Sequence, residues 1–299
     1  MRAPAAISGE QVDQGALFRD LIELTKPRIT TMVVLTAGIG LLLASGGEAT
    51  LALVIHTLVG TGLVAAGSSA LNQVLERDLD ALMQRTAQRP LPSGRMHPDA
   101  ALLFGVALSI VGLIELTVFV NLLTALLGTL ALASYVFLYT PLKRVSSLAT
   151  VIGAIPGAIP PLMGWTAVTN EIGLGAWVLF GILFLWQLPH FLAIAWMCRD
   201  DYARAGLPML PVVEPDGRST ARQMVLWGAA LLPVSLLPTV LGLTGITYFL
   251  GTLALGCFFL AVCVAFALSF STQAARRVLL VSVLYLPAVL AVMVLDRVV

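Results

Sequence analysis

Charge is what this sequence has least of. Asp, Glu, Lys and Arg make up only 11% of its 299 residues, against 59% hydrophobic. No soluble domain needs that balance, and it excludes a chain solvated on all sides. Cysteine is scarce as well: Cys198, Cys257 and Cys263 form no CxxC or paired spacing, which excludes a disulfide framework and a cysteine metal centre. A net charge of +1 gives no sign of a nucleic-acid partner. The N-terminal stretch lacks the pattern of a signal peptide, and its acidic residues argue against an organelle transit sequence.

What fills the chain instead is a succession of apolar windows of roughly 18 to 25 residues, the length that crosses a bilayer as helix. Lipid offers backbone groups no partner, so such runs are helices or strands of a closed barrel. These are continuous rather than alternating, which predicts an all-α polytopic membrane protein. Nine transmembrane helices in one bundle are expected at 29–46, 50–75, 100–120, 121–140, 147–168, 172–197, 223–243, 246–270 and 278–295. Residues 1–14 read as a disordered tail. Residues 15–28 read as an interfacial amphipathic helix and basic entry, and 29–296 as the membrane domain. The fifth span contains GAIPGAIPPLMGW, whose Gly and Pro predict a kinked, closely packed helix.

The few basic residues are unevenly shared. The N-terminal segment and the loops after spans two, four, six and eight hold sixteen of the seventeen, leaving Arg297 opposite. The positive-inside rule makes those loops cytoplasmic, or matrix-facing in an organelle, with the N-terminus inside and the C-terminus outside; a bacterial cytoplasmic membrane is the expected location.

Most chemistry-bearing side chains lie on that same face. In LNQVLERDLDALMQRTAQRPLPSGR, Asn72, Glu76 and Asp80 fall at i, i+4 and i+8 and stack on one helical face. Hard oxygen ligands in that arrangement suit Mg²⁺, which takes one or two carboxylates and leaves other positions to water and a substrate phosphate. Arginines just beyond, Arg85 and Arg89, can grip phosphate by bidentate bonds. Asp78 points off that face and is free to bind an arginine. The same charges also suit an ordinary solvated loop between spans. A second cluster ends span six: with the helix continued, His190, Ile194, Met197 and Asp201 form one stripe, beside Asp200, Tyr202 and Arg204. Two such clusters facing each other across a cytoplasmic-face cavity would suit one lipid diphosphate. His190 inside a span is either a functional group or a hydrogen-bonded core histidine. His56 and Glu115 lie at similar depth in spans two and three and are expected to meet as a structural pair.

Asn72, Glu76 and Asp80, then Arg85-Thr86 and Arg89-Pro90 followed by LPSG, resemble the first aspartate-rich motif of the UbiA superfamily of intramembrane prenyltransferases. YTPLKR at 139–144, WQLPHF at 186–191 and DDYARAGLPMLPVV at 200–213 resemble its heme-farnesylating branch. Glu76 stands where the wider group usually has Asp, and Cys198 where other members often have an acid. The resemblance covers about residues 20–290 and implies transfer of farnesyl from farnesyl diphosphate to the 2-vinyl group of heme B. It implies Mg²⁺ held by Asn72, Glu76, Asp80, Asp200 and Asp201. It implies substrate contacts from Lys26, Arg28, Arg85, Arg89, Lys143, Arg144, His190 and Tyr202. Heme B and farnesyl diphosphate would be the substrates, the lipid bilayer the surroundings, and a downstream heme-modifying membrane enzyme a partner. Another polyprenyltransferase with an aromatic acceptor is the nearest alternative. A transporter fits less well, since the acids cluster at one interface and the two halves share no clear repeat.

Overall fold

The computed structural model describes residues 14–298, so the tail expected at 1–14 falls outside the described residues except for Gln14, which is helical. The first helix, α1 (Gln14–Leu24), buries Asp20 and Leu24 while Phe18 stays 64% exposed beside exposed Leu17 and Ile22. Among the described residues nothing covers that apolar face, which suits a helix lying in a membrane interface.

Nine helices among the described residues are long and apolar enough to span a bilayer. They are α2 (Pro27–Ala44), α3 (Leu51–Leu82), α4 (Pro98–Phe119), α5 (Leu122–Leu142), α6 (Ala149–Thr169), α7 (Leu174–Met197), α10 (Arg218–Val240), α11 (Ile246–Ser269) and α12 (Thr272–Leu295). Two short helices, α8 (Arg199–Arg204) and α9 (Leu210–Val213), lie in the connection after α7. Three spans run further than their apolar windows. Helix α3 continues seven residues beyond 75, and α10 and α12 begin five and six residues before 223 and 278. Polar residues in those turns are good helix formers, so hydropathy loses the helix before the backbone does. At 1.5 Å per residue α3 is about 48 Å long, more than the roughly 30 Å hydrocarbon layer. Its acidic stripe is therefore carried on rigid helix rather than on a loop.

Small residues set how closely the helices approach, since lipid supplies no hydrophobic drive between them. A Cβ added at Gly164 of α6 would lie 1.8 Å from the Ala37 carbonyl of α2, and one at Gly40 would lie 2.1 Å from that of Pro161. Helix α6 is broken at Ile159, between Pro156 and the Pro160-Pro161 pair, as its composition led one to expect. Helix α5 carries a π-helical stretch, Ser134–Tyr139, before its last turn. Such a stretch rotates the side chains that follow it, and these are common at functional sites.

At the other end of α3, His56 Nδ1 lies 2.6 Å from Glu115 Oε1 of α4, and the imidazole stacks on Phe119 at 4.5 Å. The expected pair is therefore formed. Removing the imidazole leaves a half-buried acid in a membrane span. His56→Leu is expected to destabilise the protein by about 1–2 kcal/mol, and His56→Leu/Glu115→Leu to recover most of that loss. Thermal unfolding in bicelles reads both, and an unchanged midpoint for His56→Leu would exclude a stabilising pair.

Candidate functional site

The stripe on α3 is buried rather than solvated: Asn72, Glu76 and Asp80 are 2%, 3% and 1% exposed. Burying two carboxylates without partners is prohibitive, so cations must follow them inside. Three do. Lys143, just past the end of α5, places Nζ 3.0 and 3.1 Å from the two Glu76 oxygens. Arg89 returns from the loop after α3 to set Nη1 2.7 Å from Asp80 Oδ2. Lys26, between α1 and α2, donates to Asn72 Oδ1 at 3.0 Å.

Local backbone features deliver these groups. Lys26 sits in the left-handed region (φ 47°), which turns the chain sharply from α1 into Pro27 at the start of α2. The loop after α3 folds back because Thr86 Oγ1 donates to the Asp80 carbonyl at 2.8 Å. It is held against α1 by Arg95, which pairs with Asp20 and Glu23, and by Leu91 and Met96 packed on Leu24. Gln73 Nε2 adds a bond to the Leu24 carbonyl. Asn72 is oriented from α5: its Nδ2 donates to Thr140 Oγ1 at 3.1 Å, and the Tyr135 hydroxyl approaches its Oδ1 at 3.4 Å.

The connection after α7 closes the site from the other side. Tyr202 is buried, accepts from Arg85 Nη2 at 3.2 Å and lies under that guanidinium at 5.6 Å. Asp201 accepts from the Gln84 backbone N–H at 3.3 Å and from Arg204. The two motif-bearing segments therefore do meet. Lys143 and Tyr202 also line a cavity of about 60 Å³, together with Tyr139, Thr150, Phe191, Ile194, Ala195 and Met209.

Charge in this cluster is unbalanced. Two carboxylates, Glu76 and Asp80, face four cations, Lys26, Lys143, Arg85 and Arg89. The Lys26 pKa is pulled down to about 8, first by burial and then by Arg89, with Lys143 adding to it. Burial acts the same way on Lys143, but Tyr139 and Glu76 outweigh it and raise its pKa. Lys143 is buried, Lys26 and Arg89 are half-buried and Arg85 is exposed, and an excess of positive charge in such a cluster suits an anion.

Several expected members stand elsewhere. Asp200 is 89% exposed, with only Arg199 near it at 3.9 Å. The continuous stripe from His190 to Asp201 does not form, because α7 stops at Met197 and Cys198 (φ −104°, ψ 16°) breaks the helix before α8. Arg144 forks onto Asp78 at 2.7 and 2.9 Å and onto the Leu75 carbonyl, on the exposed side of α3. Arg28 is exposed on the first turn of α2 and joins no ion pair among the described residues. His190 bonds Ser282 of α12 rather than the cluster. Tyr135, Thr140, Thr86 and Gln73 were not expected from the sequence. The only signal for Tyr135 is its spacing of four from Tyr139, on which it stacks at 5.3 Å.

Among the described residues no three of His, Cys, Asp and Glu converge as a self-sufficient metal cage. The donors on α3 are hard oxygens, which fits a divalent ion that completes its shell from phosphate and water. They fit as part of a ternary site rather than as a stand-alone one.

Comparison with known proteins places the chain in a family. The family model described as the UbiA prenyltransferase family matches residues 33–291. The protoheme IX farnesyltransferase of Solibacter usitatus (strain Ellin6076) is 53% identical over 289 residues, covering 94% of this chain and 99% of the relative. Among solved structures, a digeranylgeranylglyceryl phosphate synthase superposes with a TM-score of 0.79 at 18% identity, covering 95% of this chain and 99% of its own. A UbiA homolog from Archaeoglobus fulgidus bound to DMAPP and Mg²⁺ gives 0.65 at 15% identity, covering 92% and 99%.

The depressed Lys26 pKa has a testable consequence. Lys26 is charged below about pH 8 and neutral above it. The affinity of the protein for inorganic diphosphate with Mg²⁺ is therefore expected to fall as pH rises through about 8. Lys26→Arg, which stays charged, should flatten that fall. Calorimetric titration from pH 7 to pH 9 measures it, and a flat wild-type profile would remove Lys26 from the anion site.

Proposed function

The chain belongs to the UbiA prenyltransferase family, and from that premise we propose that it transfers the farnesyl group of farnesyl diphosphate to the 2-vinyl group of heme B. Heme O and diphosphate are the products, with water completing the hydroxyethylfarnesyl group. The observation that carries this reading is the buried alternation of acid and base on α3 and its neighbours, roofed by an apolar bundle. The chain is an integral membrane protein. In our reading the loops bearing the cluster face the cytoplasm of a bacterium.

The residues divide the work as follows. Asn72, Glu76, Asp80 and Asp201 would hold Mg²⁺, which supplies charge neutralisation at the leaving diphosphate oxygens. Lys26, Lys143, Arg85 and Arg89 bind the same anion from around the stripe. Each already lies beside an acid, an amide or a tyrosine, so binding exchanges one partner for another rather than creating new buried charge. Their excess positive charge stabilises the leaving group more as its charge grows, which is the differential that speeds ionisation. The developing allylic cation lies against apolar and aromatic walls. Tyr139 and Phe191 line the cavity, and aromatic faces attract a cation without supplying a nucleophile. Low water content there favours attack by the electron-rich vinyl group over hydrolysis.

The conversion of Asp80 or Asp201 to Asn removes a charge that balances the metal. Heme O formation should fall at least about 100-fold in either variant. Asp200→Asn, at an exposed position, should remain within about twofold of wild type. Mass spectrometry of heme extracted after incubation with heme B, farnesyl diphosphate and Mg²⁺ gives the rates. Near-normal turnover by Asp80→Asn would defeat the assignment, and an absence of heme O from the wild-type protein would defeat the function.

A further inference from the structure

His190 is held by groups that no part of the diphosphate site uses. Its Nδ1 lies 2.7 Å from Ser282 Oγ on α12, and Ser282 is fully buried. The same Oγ lies 2.7 Å from the Leu279 carbonyl. A hydroxyl has one hydrogen and a carbonyl has none, so at that separation the serine hydrogen must point at Leu279. Ser282 can then only accept from the imidazole, which places the proton on Nδ1. The lone pair is on Nε2, and Nε2 has no hydrogen-bond partner among the described residues.

Trp186, one helical turn before His190 on α7, tightens the arrangement. Its Nε1 donates to the Ser282 carbonyl at 2.8 Å, and its ring stacks on the imidazole at 5.2 Å. One residue of α12 is thereby tied through its carbonyl to Trp186 and through its hydroxyl to His190. The imidazole is fixed in tautomer, in rotation and in position along the helix. A histidine needed only for packing does not require its second nitrogen to be left bare. Metal-binding histidines, in contrast, characteristically donate their other N–H to a fixed acceptor, which sets the tautomer and raises the basicity of the coordinating nitrogen. His190 also lies seven residues before the end of α7, about 10 Å along the helix from the end that adjoins the diphosphate cluster. That is a depth suited to an apolar macrocycle carrying an iron.

We infer that His190 Nε2 is an axial ligand to the iron of the heme acceptor and that Ser282 is the positioning residue that keeps this nitrogen unprotonated. The inference rests on heme being the acceptor. Ligation would anchor the macrocycle by its centre and leave the vinyl-bearing edge free to meet the prenyl cation, with no bond made or broken at the iron during transfer.

The test uses the full-length protein in nanodiscs with ferrous heme B, read by resonance Raman spectroscopy. Wild type is expected to give an iron–imidazole stretching band that is lost in His190→Ala. Added imidazole should restore a band in that variant. In Ser282→Ala the band should move to lower frequency, because the hydrogen bond that enriches the imidazole is gone, and iron ligation should weaken by about tenfold. Farnesyl diphosphate affinity should be unchanged in both variants. Persistence of the band in His190→Ala, or an unmoved band in Ser282→Ala, overturns the inference. Heme O formation is assayed on the same wild-type preparation. Turnover without an imidazole band defeats the ligand assignment and leaves the proposed reaction standing, whereas no turnover defeats the reaction and this inference with it.

Discussion

The structure depends on how two carboxylates are partnered inside a membrane protein. Glu76 and Asp80 are almost wholly buried, and neither tolerates burial without a cation. Lys143 comes from the end of α5 and Arg89 from the loop after α3, while Lys26 approaches Asn72 from the junction of α1 and α2. Three separate segments are thus pinned to one helix by electrostatic necessity. Lys26 lies in the turn from α1 into α2, Arg89 in the fold-back of residues 83–96, and Lys143 shortly after the π-helical turn of α5.

The same constraint explains how the proposed polyanion site can exist before its ligand arrives. Four cations against two carboxylates would repel one another if each lacked a local acceptor. Here Glu76, Asp80, the Asn72 amide and the Tyr202 hydroxyl serve as acceptors. A metal–diphosphate complex can replace these partners like for like, which keeps the desolvation cost of binding low. Exposed pairs such as Arg144–Asp78 stay outside this exchange, since water already solvates them.

Away from the cluster, close backbone contact does the work that hydrophobic burial does in water. Gly40 and Gly164 let α2 and α6 touch backbone to backbone, and the proline-rich break in α6 bends it to maintain that contact. The two ends of the bundle carry different polar devices. His56 and Glu115 pair with each other at one end of α3, remote from the acid–base cluster at the other.

The architecture was legible in the residues themselves, because bilayer thickness imposes a length and hydropathy that few other folds satisfy. The spacing of four between Asn72, Glu76 and Asp80 was enough to put them on one face, since an α-helix has one periodicity. The depth match of His56 and Glu115 predicted their contact for the same reason. Periodicity failed where the helix did. Nothing in RDDYARAG marks the break at Cys198, so Asp201 does not continue the His190 stripe and reaches the Gln84 amide by another route, while Asp200, expected beside it at the metal, is exposed. Nor does one-dimensional spacing say which of two adjacent basic residues turns inward: Lys143 reaches Glu76 and Arg144 turns to Asp78. The Tyr135–Asn72 contact and the Ser282–His190 bond join residues 63 and 92 positions apart. Such pairs are decided only by tertiary packing, because the local sequence around each partner is the same whether or not the other helix lies beside it.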